Sequence, residues 1–131
     1  MTAQQVYEYA LALMDCIGEN GKADEDTAAG YAGKAPRLLD MLQRELATAE
    51  GKTAGEITSL SAALTVSDDT AARVMPFGLA AKLALADNDM DKYSDYAKEY
   101  ERLKRTIPAV QTDIADDMAA LSGFQTGAEW G

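Results

Sequence analysis

The sequence contains no histidine. That removes the usual general base near neutral pH, the commonest metal ligand, and every Ser–His or Cys–His nucleophile arrangement. There is one cysteine, Cys16. It can close no internal disulfide and build no thiolate cage around a metal, and it suits a reducing compartment. Basic residues are scarce, with 12 Lys and Arg against 22 Asp and Glu and a formal net charge of −10, for a pI near 4.3. A surface of that sign repels phosphate backbones and argues against sequence reading of DNA or RNA. No apolar run approaches the roughly 20 residues of a membrane span, and the first residues lack the basic-then-apolar order of a signal peptide. What the 131 residues do hold is 47% hydrophobic and 26% charged side chains, the balance of one globular domain. An acidic, soluble, intracellular domain with little equipment for catalysis is expected.

Helical spacing dominates the chain. Thr2 and Gln5 stand at capping-box distance, and Val6, Ala10, Leu13 and Ile17 follow on one helical face. Tyr7, Tyr9, Leu11, Met14 and Cys16 widen that apolar arc, which implies more than one packing partner. A second pattern opens at Asp24, Glu25 and Asp26 and keeps its phase through Leu38, Leu39, Leu42 and Leu46, with a kink or short break expected at Pro36. Arg37, Asp40, Gln43 and Arg44 supply its wet side. Residues 51–66 read as an ordered crossover loop with a short strand or a helical turn. Ser67, Asp68 and Asp69 start a third helix, running to about Ala86, that is apolar nearly all round and kinked at Pro76. Such a helix is either central or completed by another subunit. Asp89 caps a fourth helix with a Met90, Tyr93, Tyr96, Ala97, Tyr100, Leu103 and Ile107 stripe, ended by Pro108. The expected fold is therefore all-α: four main helices over residues 1–107, the second and third kinked at Pro36 and Pro76, then a C-terminal tail over 108–131, partly mobile in a lone subunit. Within that tail Ile114, Met118 and Leu121 are spaced for a short helix, and its four acids face no base.

The chemical motifs dissolve on inspection. Gly51-Lys52-Thr53 mimics the end of a phosphate-binding loop, but Leu46 stands where the motif needs its first glycine, and a helix precedes it instead of a strand. Asp87, Asp89 and Asp91 copy the opening of a calcium loop, yet Lys92 and Lys98 occupy the positions that need glycine and the bidentate glutamate. Cys16 has no basic neighbour to lower its pKa and reads as a buried structural thiol. The series Tyr93, Tyr96, Tyr100 has the spacing of core packing more than of a base-stacking platform. No catalytic residue, cofactor or metal is expected.

Several segments are not anonymous. These are Val6-Tyr7-Glu8-Tyr9-Ala10-Leu11-Ala12-Leu13-Met14, Arg37-Leu38-Leu39-Asp40-Met41-Leu42-Gln43-Arg44-Glu45-Leu46, Ile57-Thr58-Ser59-Leu60, Met75-Pro76-Phe77-Gly78-Leu79-Ala80-Ala81-Lys82-Leu83 and Tyr96-Ala97-Lys98-Glu99-Tyr100-Glu101-Arg102-Leu103. Over residues 2–107 this arrangement resembles the small helical head–tail connector (adaptor) proteins of tailed bacteriophages and prophages. The resemblance implies a non-enzymatic virion component, assembled in the host bacterial cytoplasm. It would form a ring of identical copies beneath the portal protein, meet a downstream tail or stopper protein, and extend a channel through which DNA passes without specific binding. No membrane is involved. On this reading the interface with neighbours or portal draws on Tyr7, Leu11, Met14, Met75, Leu79 and Leu83, together with Ile114, Met118, Leu121 and Trp130 from the tail, while Asp113, Asp116 and Asp117 face the channel. An acidic wall lets DNA slide because like charges prevent sticking. The alternative is a small acidic helical interaction protein, an assembly chaperone or regulator, that binds one basic partner.

Overall fold

The N–H of Thr2 donates to the side-chain oxygen of Gln5 at 3.0 Å, the returning half of the expected capping box, and α1 (Ala3–Leu13) starts there. The computed structural model describes residues 1–15 and 30–108. Beyond α1 it contains α2 (Tyr31–Ala49), α3 (Asp68–Arg73), α4 (Met75–Ala86) and α5 (Met90–Lys104). Among the described residues there is no strand, only one isolated antiparallel bridge between Thr2 and Ala63. The protein is an all-α bundle, as its periodicity requires.

The boundaries differ from the sequence expectation in instructive ways. α1 stops at Leu13, because Asp15 takes the left-handed conformation (φ +60) that an aspartate tolerates; Ile17 and Cys16 lie outside the described residues. α2 begins at Tyr31, with Gly30 as its N-cap at φ +86, a conformation suited to glycine; residues 24–26 also lie outside the described part. α2 passes through Pro36 as one helix. The bond Pro36 forfeits belongs to the carbonyl of exposed Ala32, which water can satisfy. The third helix is bent as expected, with one non-helical residue, Val74, between α3 and α4. Ser67 caps α3 by accepting from the Thr70 N–H at 3.2 Å. The chain then bends at Val74 (φ −107, ψ −49), and Pro76 becomes the second residue of α4, where a missing N–H costs nothing. α5 is capped by Asp89, which accepts from the Lys92 N–H, and ends at Lys104.

α4 is the axis of the fold and packs against each of the other four helices. Its Met75, Leu79 and Leu83 are completely buried, as are Leu11 of α1 and Leu39 and Leu46 of α2. Most of its apolar circumference is thus covered by the chain itself, and Leu85 near its end reaches solvent. Tyr31 at the start of α2 donates to Asp87 just after α4, and Glu50 just after α2 holds Ser67 and Thr70 at the start of α3. α2 therefore runs antiparallel to the α3–α4 arm. α5 folds back along α4, and Arg73 reaches across to the Thr106 hydroxyl at 2.7 Å.

The crossover of residues 51–66 is ordered but contains neither strand nor helical segment. It is held from two sides. Its carbonyls at Ala62 and Leu60 accept from the Ala3 and Gln4 N–H groups at 2.9 and 2.8 Å, satisfying orphan donors of α1. From α2, the Asp40 carboxylate accepts from the Ile57 N–H at 2.9 Å. The Gln43 amide donates to the Gly55 carbonyl and accepts from the Thr65 N–H, both at 2.7 Å.

Candidate functional site

Each motif that hinted at chemistry is occupied by structural work. Gly51 sits at φ +71 just past α2, where its N–H and that of Lys52 close on the Thr48 and Ala47 carbonyls at 3.1 and 2.8 Å. That is a helix terminator, and its glycine serves the left-handed turn. Asp87 accepts from the Tyr31 hydroxyl and Asp89 caps α5. Tyr100 is buried and donates to Glu45 of α2; Tyr96 is half-buried and donates to the Leu13 carbonyl at 3.0 Å, tying α5 to the end of α1. Among the described residues no group of three or more acidic or cysteine side chains could hold a metal, and no helix is long and apolar enough to cross a membrane.

The carboxylates that are pinned are also biased toward their anions. Hydrogen bonds from the Ile57 N–H and from Arg44 hold Asp40 below its usual pKa. Burial pushes Glu50 up, but the hydrogen bonds from Thr70, Ser67 and Lys52 together outweigh it and leave it below its usual value. Burial and the Glu45 carboxylate push Tyr100 well above tyrosine's usual range, so it stays neutral. Anionic Asp40 and Glu50 and a neutral tyrosine are poor proton-transfer groups at neutral pH. They are good anchors.

The sequence-derived interface residues divide sharply. Tyr7, Leu11, Met75, Leu79 and Leu83 are at most 5% exposed. They form this chain's own core, and a neighbour could reach them only by opening the fold. Met14 is partly buried against the same core. Ile114, Met118, Leu121 and Trp130, with Asp113, Asp116 and Asp117, lie outside the described residues. The large apolar side chains that do reach solvent are Tyr9 and Leu13 on α1, Met41 on α2, Leu85 on α4 and Met90 on α5, exposed by 38–56%. Sequence reading missed them because Tyr9, Leu13, Leu85 and Met90 sit on apolar arcs broader than the face the core consumes. Met41 adjoins that face between the buried Leu39 and Leu42.

Two open grooves shape the surface. One of about 490 Å³ lies between α2 and the crossover and is lined by Pro36, Arg37, Met41, Glu56 and Thr58, with Asp40 and Ile57 at its base. The other, about 390 Å³, runs along α5 past Tyr93, Ser94, Ala97, Lys98, Glu101 and Arg105. Charge is distributed unevenly. Residues 16–29 hold four acids and one base, and residues 109–131 hold four acids and no base, so seven of the ten net negative charges fall outside the described bundle. The bundle's own surface mixes signs through pairs such as Arg102–Glu99, Arg73–Asp69 and Lys104–Glu101. No protein-family model matches the sequence, and no curated protein or solved structure is significantly similar to it.

Proposed function

We propose that this chain is a structural, non-catalytic component of tailed-phage or prophage particles, a head–tail connector that assembles as a ring beneath the portal and lengthens the DNA exit channel. The observation that carries the reading is where the connector-like segments fall. Those at residues 6–14, 37–46, 75–83 and 96–103 lie in α1, α2, α4 and α5, which pack around α4, and the segment 57–60 lies in the crossover that α2 pins. The resemblance thus follows the internal framework of the bundle rather than scattered surface positions. Neighbouring copies and the portal would then meet the exposed Tyr9, Leu13, Met41, Leu85 and Met90, with the acids of the C-terminal segment lying partly on the channel wall, Asp116 among them.

Native mass measurement of the full chain with portal rings from a phage or prophage carrying its gene tests this reading. A closed ring of copies on the portal is expected. A chain that ignores the portal and instead forms a stable one-to-one complex with a basic protein would establish the assembly-chaperone or regulator reading in its place. For the channel, Asp116→Lys should slow DNA ejection; unchanged ejection would remove this acid from the wall.

A further inference from the structure

Along the α5 groove, cations stand without ion pairs among the described residues, beside an apolar floor. Lys98 and Arg105 lie two helical turns apart and flank it; both are exposed, and neither makes an ion pair among the described residues. Glu101, the acid in the same groove, is already paired with Lys104 at 3.1 Å. Tyr93 and Ala97 supply the floor. They also border a second depression, about 150 Å³, over Gly78 and Ala81 of α4, whose lining holds Lys82, without an ion pair among the described residues, and the carboxylates of Glu45 and Glu101, both already within reach of Lys104. In a chain of net charge −10, an apolar floor flanked by three cations without ion pairs among the described residues is a complement to something acidic and helical.

Such a segment exists in the sequence itself. Residues 113–121 read Asp-Ile-Ala-Asp-Asp-Met-Ala-Ala-Leu. At helical spacing Ile114, Met118 and Leu121 make one apolar stripe, and Asp113 and Asp117, one turn apart, flank it on a single side. A nine-residue helix is roughly 13 Å long and the Tyr93–Arg105 groove roughly 18 Å. We propose that the α5 groove of one copy receives residues 113–121 of a second copy, with the stripe on Tyr93 and Ala97 and the two aspartates toward Lys98 and Arg105. This rests on the reading of the chain as self-assembling and names the contact that would link neighbours.

Sedimentation equilibrium of the full chain at low salt, with no portal present, tests it. One variant reverses the groove, Lys98→Glu with Arg105→Glu; the other reverses the segment, Asp113→Lys with Asp117→Lys. The unaltered chain should self-associate and weaken as salt rises, and each variant alone should associate at least about tenfold more weakly. An equimolar mixture of the two should recover, because each groove then meets a segment of opposite sign. Both variants keep a net negative charge, so bulk attraction cannot produce that recovery. An unaltered chain that stays monomeric overturns the proposal, as do variants that associate undiminished. A mixture that gains nothing also overturns it and would place the segment on its own chain's groove. Portal assembly is scored separately. Reversed variants that still form portal rings sink this contact and spare the connector reading, whereas a chain that self-docks but ignores the portal does the opposite.

Discussion

Gly78 of α4 and Tyr100 of α5 approach so closely that a methyl group added at Gly78 would lie 2.8 Å from the tyrosine ring. It would also lie 2.6 Å from a terminal methyl of Leu42. The leucine end can rotate away, but the ring is held by its hydroxyl bond to Glu45 and by the Lys104 ammonium 5.4 Å from its centre. Gly78→Ala should therefore destabilise, losing about 1–3 kcal/mol to overpacking against about 1 kcal/mol gained in helix propensity. A lower urea midpoint at unchanged slope is the expected record. Tyr100→Leu in the same chain should recover part of the loss, since contacting residues couple. A raised midpoint for Gly78→Ala would mean that both neighbours yield freely.

Gln43 is completely buried, and its amide joins the Gly55 carbonyl to the Thr65 N–H across the crossover. Gln43→Leu keeps the volume but strands two backbone groups, at a cost of about 2–3 kcal/mol. The loss should be local first: the Thr65 amide should exchange its hydrogen far faster while amides in α4 remain protected. Unchanged exchange at Thr65 would show that the crossover is held without this side chain.

These two sites mark the limits of sequence legibility. The helices were legible because apolar residues recur at 3.6-residue spacing, and the central place of α4 because Met75 to Leu85 leaves no polar face. Gln43 read as part of a wet face because polarity alone cannot distinguish a solvated amide from a buried one that satisfies loop groups 12 and 22 residues further along the chain. The crossover defeated periodicity for the same reason: its hydrogen bonds go to α1 termini and α2 side chains rather than to a neighbouring strand. The bend before Pro76 came at Val74, since the proline is best placed inside a new first turn. Tyr7, Leu11, Met75, Leu79 and Leu83 read as interface although the chain buries them itself, because an apolar arc shows that a face will be covered without showing by what. Leu79 is covered by its own chain.

Glu50 ties the end of α2 to the start of α3, and its carboxyl lies below the usual value of 4.5 in the folded chain. A depressed carboxyl contributes stability above the unfolded value, and that contribution fades as pH falls through the folded one. Glu50→Gln should lower stability at neutral pH by about 1–3 kcal/mol, the range for hydrogen bonds to a charged group. Urea midpoints of the two chains should then converge as pH falls below 4.5 and through the folded value. A gap of constant size across that range would mean that the anion is not what holds Ser67 and Thr70.

Tyr100 behaves oppositely in alkali. Its folded pKa lies above the usual 10.0, from burial and from the adjacent Glu45 carboxylate. Its contribution to stability is complete below the unfolded value and disappears as pH rises through the folded one. Ultraviolet titration should find at least one of the six tyrosines ionising only as the chain unfolds, and Tyr100→Phe should reduce that delayed step by one tyrosine. Tyr7 and Tyr31 are buried too, so the decisive readout is the loss of one tyrosine from the delayed step in Tyr100→Phe, and an undiminished delayed step there would contradict the buried position.

The division between core and exposed apolar residues separates two classes of variant. Leu79 is fully buried on the central helix, so Leu79→Ala should lower the stability of the isolated chain by about 2–5 kcal/mol through lost contacts and a residual cavity. Tyr9 and Leu13 are 48% and 38% exposed, so Tyr9→Ser and Leu13→Ser should each change stability by about 0.5 kcal/mol or less. If these side chains meet a neighbour, burying them in the ring supplies favourable free energy that the serine variants lack. Thermal unfolding of the isolated chain and ring formation on portals then move independently: Leu79→Ala shifts the first, and the serine pair weakens the second while leaving the first in place. Serine variants that assemble as well as the unaltered chain would put the ring contact elsewhere, and the α5 groove would be the surface to alter next.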